Sequence, residues 1–207
     1  MELAHRWRDR NLSRLEFIVS CMLIAIFIGL FVKHTLVVFA RTEQTMVNTT
    51  IVNINSALQY QAAIAVMLGN TGFISRSLVE SPFKLLQSAQ AAYPDNIGKL
   101  TSRVNVPVNS FINAPANYIG EMDNPDPEQI KAGQWYYDRS DHTLNYRIRN
   151  TAFFHDGVEG YPILKFRVVV NYNDRNGNGV FDQGIDTYNS MKLESIDSFR
   201  WANQVID

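Results

Sequence analysis

Hydrophobic positions are concentrated in one long run near the start of the chain. Phe17 to Val32 contains 16 residues without a charge, and a second apolar patch, Leu36 to Ala40, follows a short polar break. At about 1.5 Å of rise per residue the first run spans about 24 Å. Leu15 at one end and a Lys33 side chain that reaches the interface at the other make it long enough to cross a bilayer. The pattern predicts a transmembrane helix over residues 15–40.

The helical period continues beyond this run. Apolar side chains recur at alternating steps of four and three residues, with one polar position, Gln61, in the series: Val47, Ile51, Ile54, Leu58, Ala65 and Leu68. Such a stripe on one helix face packs against a globular head, or pairs with other copies of the protein, and the two are compatible. Gly69-Asn70, supported by Gly72, predicts the end of the helix. Residues 41–68 therefore form an extracytoplasmic continuation of one helix.

The remaining residues, 69–207, predict a small α+β head. Pro82 at a first helical position starts a short helix to about Ala92. Residues 94–132 are rich in Asn, Pro and Asp and predict loops with short pieces of structure. From Gly133 the period changes to two, which predicts four strands, at 134–138, 143–149, 163–172 and 191–196. We expect a small antiparallel sheet with the long helix covering one face.

Charge predicts the orientation of the anchor. Residues 1–14 carry four arginines against Glu2 and Asp9, and such an excess before a first apolar span stays in the cytoplasm. The head then lies outside the inner membrane. A cleaved secretory signal ending near Val38-Phe39-Ala40 is the alternative. The length of the apolar run and the interruption by Lys33 favour a retained single-pass anchor.

The amino-acid composition argues against several classes of protein. The chain has 207 residues, 46% hydrophobic and 12% aromatic, which is too apolar for a disordered chain. Nineteen basic against 20 acidic residues argue against a nucleic-acid partner. The single cysteine, Cys21, excludes a disulfide within the chain and lies in the apolar span, where we expect a small membrane side chain rather than a lipidation site.

One segment carries metal-binding chemistry. In Asp174-Arg175-Asn176-Gly177-Asn178-Gly179-Val180-Phe181-Asp182, oxygen-bearing side chains stand at positions 1, 3 and 5, and glycine at 6, as in a calcium loop. The Val180 carbonyl and the Asp182 carboxylate would be positions 7 and 9. Ile185 stands where a bidentate glutamate is usual, and Asp186 could substitute. The alternative is an Asn-Gly-rich hairpin connection without a metal.

No catalytic constellation is predicted. Only His142 and His155 lie in the head, both in predicted turns, and no nucleophile, base and orienting group share a signature. Zinc-ligand spacing is also missing from the sequence. We therefore expect a protein that is not an enzyme.

The N-terminal pattern resembles type IV pilins and pseudopilins. Its elements are a basic start, Glu16 at the head of the apolar run and an unbroken long helix. Two head segments, Pro115 to Glu121 and Gly133 to Asp138, are similar to pilin-like proteins of the mannose-sensitive haemagglutinin (MSHA) type of pilus. The resemblance implies a pilin-like fold and a structural or assembly role. It also implies partners among other pilin-like subunits or an inner-membrane assembly platform, and calcium loops in related heads.

The resemblance gives Glu16 a role and leaves an alternative open. In that family a glycine precedes the processing site, and the fifth residue after it is a glutamate that neutralises the N-terminus of a neighbouring subunit. Glu16 is fifth if the mature chain begins at Leu12, but Asn11 stands in the glycine position. A filament subunit and a fixed inner-membrane component therefore both remain open. A bitopic ligand-binding or sensor subunit is the alternative from another class, although residues 1–14 are too short for a signalling domain.

Overall fold

The computed structural model describes residues 2–67, 69, 72–92, 113–151, 154–155, 162–182, 184–197 and 200–201. Within these ranges it describes all side chains except those at 2–13, 89–92, 154–155 and 200–201. The chain divides into two compact units, Met1–Glu43 and Gln44–Asp207.

Helix α1 (Glu2–Met67) begins in the first unit and ends in the second. Every side chain from Arg14 to His34 is exposed, including Phe17, Phe27 and Phe31 at about 70% of their surface. Within the described residues, one helix, Arg14–Met67, is long and apolar enough to cross a membrane. The helix starts earlier than the apolar pattern predicted, because residues 2–14 contain no proline or glycine to interrupt it.

The predicted end of the helix is confirmed. Helix α1 stops at Met67, and Gly69 has a positive φ of 70° with its N–H donating to the Val66 carbonyl at 3.1 Å. Gly72, read from the sequence as part of the break, instead begins a short helix α2 (Gly72–Ser77). Helix α3 (Pro82–Ala92) follows, as predicted.

The described part of the second unit also contains seven strands: β1 (Tyr118–Met122), β2 (Trp135–Asp138), β3 (Thr143–Arg147), β4 (Phe154–His155), β5 (Ile163–Asn173), β6 (Thr187–Ser195) and β7 (Arg200–Trp201). Five form a sheet in the order β1-β2-β3-β5-β6, and β4 pairs with β7 separately. The pairs β2–β3, β3–β5 and β5–β6 are antiparallel, while β1 and β2 are parallel.

The predicted all-antiparallel sheet is therefore corrected to a mostly antiparallel one. Strand β1 lies in the segment 94–132 that the sequence predicted as loops with short pieces of structure, and residues 93–112 lie outside the described part. The chain between β1 and β2 returns through turns at residues 123–134, so β2 enters the sheet in the same direction as β1. Strand β6 begins four residues earlier than predicted, at Thr187.

The core lies between one face of the sheet and the second part of α1. Cross-strand partners share this face, such as Trp135 opposite Tyr146 and Leu144 opposite Phe166. They join the helical stripe in one buried cluster, to which the helix contributes Val47, Ile54, Ala57, Leu58, Ala62 and Ala65. The predicted stripe thus packs within the head, except for Leu68, which lies outside the described residues.

The opposite sheet face is also covered where β2 and β3 lie. Asn145 alternates in β3 with the core residues Leu144 and Tyr146, yet it is 1% exposed, and Tyr136 beside it is 3% exposed. The Arg147 guanidinium donates to the main-chain carbonyls of Pro127, at 2.7 Å, and of Ile130. These bonds hold the segment after β1 against β3, which explains why this part of the face is not solvated.

Candidate functional site

The predicted calcium loop, residues 174–186, connects β5 to β6. Its anchor is Phe181, which is buried and meets the Tyr172 ring edge-on at 5.5 Å between centroids. Val180, directly before the anchor, is 61% exposed. Phe181 therefore attaches the loop to the core, while the polar side chains of the loop remain accessible.

Asp174 organises the first half of this loop. Its Oδ1 accepts the N–H of Gly177 at 2.6 Å, and its Oδ2 accepts the N–H of Gly179 at 2.7 Å. Both glycines have a positive φ, of 71° and 75°, which a residue with a Cβ rarely adopts. The hydrogen bond from Gly179, reinforced by those from its neighbours, lowers the pKa of the Asp174 carboxyl.

Asp182 accepts hydrogen bonds from the side chains of both loop asparagines. The Nδ2 atoms of Asn176 and Asn178 both donate to Asp182 Oδ2, at 2.6 Å each. The asparagine oxygens accept main-chain N–H groups two residues ahead, Asn178 at 3.2 Å and Val180 at 2.8 Å. The loop thus brings these three side chains to one point.

Asp186 closes the loop from its far end. Its two carboxylate oxygens accept the N–H groups of Arg175, at 2.9 Å, and of Asp182, at 2.7 Å. Partial burial and the charges of Asp174, Asp186 and Asp182 raise the pKa of the nearby Tyr172 phenol. All three carboxylates are therefore close enough to Tyr172 to raise the pKa of its phenol.

The structure brings most of the predicted ligand set together. Asp174, Asn176, Asn178, Asp182 and Asp186 are linked through side-chain and main-chain hydrogen bonds, and Val180 enters through its N–H. Among the described residues, no three His, Cys, Asp or Glu side chains already stand as a metal-holding group. The predicted donors are instead three carboxylates, two amides and a main-chain carbonyl, all oxygen-bearing as calcium requires.

A cavity that was not predicted from the sequence lies between α3 and β1. A half-open cavity of about 290 Å³ is lined by Phe83, Lys84, Gln87, Tyr118 and Glu121, among others. Lys84 and Glu121 approach to 3.9 Å across it, so its charges are balanced. Lys84 and Glu121 are 37 positions apart, in a helix and in a strand that the sequence alone did not connect. No local pattern in the sequence therefore indicated this cavity.

Two of the other residues singled out from the sequence lie in α1. Glu16 and Cys21 are both exposed on the apolar part of the helix. His142 is in the predicted turn between β2 and β3 and has a positive φ of 54°, whereas His155 belongs to β4 rather than to a turn.

In comparisons with known proteins, no protein-family model, curated protein or solved structure matches this chain significantly. The functional argument therefore rests on the residues and their geometry.

Proposed function

We propose that this protein is a membrane-anchored, pilin-like structural or assembly component of a type IV pilus of the MSHA type, or of a type II secretion-like system. The observation that carries the proposal is helix α1. One uninterrupted helix supplies both a fully exposed apolar segment, from Arg14 to His34, and a stripe that completes the core of the head. A head that depends on its anchor helix for its core is suited to a protein that works at a membrane or in a filament.

The exposed apolar segment supports a single-pass location in a bacterial inner membrane. A helix in water does not expose Phe, Ile and Leu side chains over this length. Lipid or neighbouring helices would cover these side chains favourably. The arginine-rich start supports a cytoplasmic N-terminus and a periplasmic head. In a filament the same segment would pack against other subunits or further copies of this chain.

Glu16 supports a role in assembly. A carboxylate beside Phe17 at the start of an apolar run is costly in a membrane unless a positive group pairs with it. The resemblance to pilins supplies such a group, the N-terminal amine of a neighbouring subunit. Glu16 is exposed on α1 and is therefore accessible to another chain.

Calcium binding by the β5–β6 loop is part of the proposal. The loop carries three carboxylates, Asp174, Asp182 and Asp186, against one guanidinium, Arg175. Turning the Asn176 and Asn178 amides would bring their oxygens to the point where Asp182 Oδ2 now accepts two N–H groups. The ion would be held by these side chains and by the Val180 carbonyl, and would reduce the repulsion among the carboxylates.

Fractionation of the source cells tests the proposal. Surface filaments are sheared off, and the sheared and inner-membrane fractions are probed for the full chain by mass spectrometry. A sheared protein that begins at Leu12 would be a processed filament subunit. An unprocessed protein in the membrane that co-purifies with pilin-like subunits would be a fixed assembly component. A membrane protein that co-purifies only with a signalling partner would contradict the proposal and favour a sensor subunit.

Glu16→Ala separates the assembly role from anchoring. We expect the variant to remain in the membrane but to lose co-purification with pilin-like subunits, whereas Ser20→Ala, one helical turn further on, keeps both. Unchanged co-purification of the Glu16→Ala protein would leave the carboxylate as a solvated interfacial group and overturn its role.

A further inference from the structure

The β5–β6 loop contains two consecutive Asn-Gly pairs, Asn176-Gly177 and Asn178-Gly179, and all four residues are exposed. An asparagine followed by glycine is prone to deamidation because glycine lacks the Cβ that would hinder its nitrogen. That nitrogen attacks the side-chain carbon Cγ and loses its proton, while the amide leaves as ammonia. The resulting cyclic imide is opened by water to aspartate or isoaspartate.

Both attacking nitrogens are held by one carboxylate. Gly177 N donates to Asp174 Oδ1 at 2.6 Å, and Gly179 N donates to Asp174 Oδ2 at 2.7 Å. Each nitrogen must lose its proton to attack. A carboxylate within hydrogen-bond distance opposes the negative charge that develops on that nitrogen.

The two asparagine amides are restrained as well. The Nδ2 atoms of Asn176 and Asn178 donate to Asp182 Oδ2, and their oxygens accept main-chain N–H groups. A side chain held at both ends cannot turn freely to present Cγ to the neighbouring nitrogen. The restraint is lost once one asparagine is converted, because a new carboxylate would face Asp182 instead of an N–H donor.

We propose that Asn176 and Asn178 are paired deamidation sites and that Asp174 keeps them intact by holding both attacking glycine nitrogens. The first conversion removes one of the two N–H bonds to Asp182 and therefore accelerates the second. The inference requires no bound metal, so it stands or falls independently of the proposed calcium site.

The test is a time course of deamidation in the full chain, in detergent with a chelator at mildly alkaline pH, followed by peptide mapping with mass spectrometry. Asp174→Ala is expected to raise the rate at both asparagines by about tenfold or more, the factor expected when a hydrogen bond to a charged group is removed. Asp141→Asn, at an exposed position in the turn between β2 and β3, is the matched control. It removes one surface carboxylate of the head but leaves both glycine N–H bonds in place, so its rate should stay near that of the unmodified chain.

A second comparison keeps the proposal testable if Asp174→Ala does not fold. The unmodified chain is incubated folded and in guanidinium chloride, where the loop bonds are lost. Faster deamidation in denaturant supports protection by the folded loop, and equal rates overturn it. An Asp174→Ala rate equal to or below that of the unmodified chain would also overturn the proposal, the lower rate because Asp174 would then act as a base that promotes attack.

Discussion

Asn55 of helix α1 pairs with the main chain of Leu193 in strand β6. The Leu193 N–H donates to Asn55 Oδ1 at 2.5 Å, and Asn55 Nδ2 donates to the Leu193 carbonyl at 3.4 Å. Strand β6 is an edge of the five-stranded sheet, so among the described residues no strand pairs with these main-chain groups on that side. A single amide side chain satisfies both, in the way that a further strand would. The contact fixes the register of α1 against the sheet.

Asn55→Ala should therefore destabilise the head. Removing the amide leaves a partly buried N–H and C=O without these partners, at a cost of about 1–3 kcal/mol. Chemical denaturation of the full chain in detergent, followed by tryptophan fluorescence, measures the loss. Gln59→Ala, at an exposed position one turn further along the same helix, is the control and should change little. Equal stabilities of the two variants would show that the pairing contributes nothing.

The helical stripe of α1 belongs to the head core, so truncating its side chains should destabilise the head. Leu58→Ala removes a side chain that is 0% exposed and should cost about 2–5 kcal/mol. Val52→Ala, on the same helix at 61% exposure, should change the free energy of unfolding by about 0.5 kcal/mol or less. If Val52→Ala proved the more damaging in the isolated chain, the assignment of the two helix faces would be wrong.

Two buried phenols should make the head sensitive to alkali. Burial, with the charge of Asp138 added, raises the pKa of Tyr136 to about 12. Burial, followed by the charge of Glu121, does the same for Tyr137. Because the folded pKa lies above the unfolded value near 10, these groups stabilise the fold fully below about pH 10, and that contribution is lost as pH rises to about 12.

Phenolate absorbance recorded during an alkaline titration of the full chain checks this expectation. Tyr136→Phe and Tyr137→Phe should each reduce the fall in stability over that interval. Ionisation of both phenols near pH 10 with the fold intact would contradict it.

Calcium should stabilise the head through the β5–β6 loop. For a Kd of about 10⁻⁴–10⁻³ M, as in extracellular calcium modules, a few millimolar calcium stabilises the fold by about 1 kcal/mol, or a few degrees in Tm. Asp182→Asn should reduce the shift, whereas Asp141→Asn, in the turn between β2 and β3, should leave it unchanged. Thermal unfolding with calcium or chelator measures both. No shift in the unmodified chain would favour a hairpin connection without a metal.

Local periodicity predicted the elements whose side chains have one buried face. In β5 the alternate residues Leu164, Phe166 and Val168 are all buried, as the period of two in this strand predicted. Strand β1 was missed because its five residues are all partly buried, so no alternation marks it, and its pairing with β2 depends on distant residues. The first part of β6, with Thr187 and Asn189, is too polar to indicate a strand. Its pairing with β5 decides its conformation.

The candidate site was predictable to a similar degree. The spacing of oxygen-bearing side chains identified the residues of the β5–β6 loop before the structure showed that Asp182 collects both asparagines. The pairing of Asn55 with Leu193 could not be predicted, because it joins residues 138 positions apart and requires the exact register of a helix on a sheet. The spacing of residues along the sequence predicts local structure such as a loop, whereas contacts such as this one depend on tertiary packing.

The central claim is that this protein serves pilus assembly from a membrane anchor. Its most direct test is a count of surface pili, by electron microscopy, in source cells that lack the chain and in cells complemented with the unmodified chain. The account predicts that pili are lost or sharply reduced without the chain and restored by complementation. A normal number of pili in cells lacking the protein would contradict it.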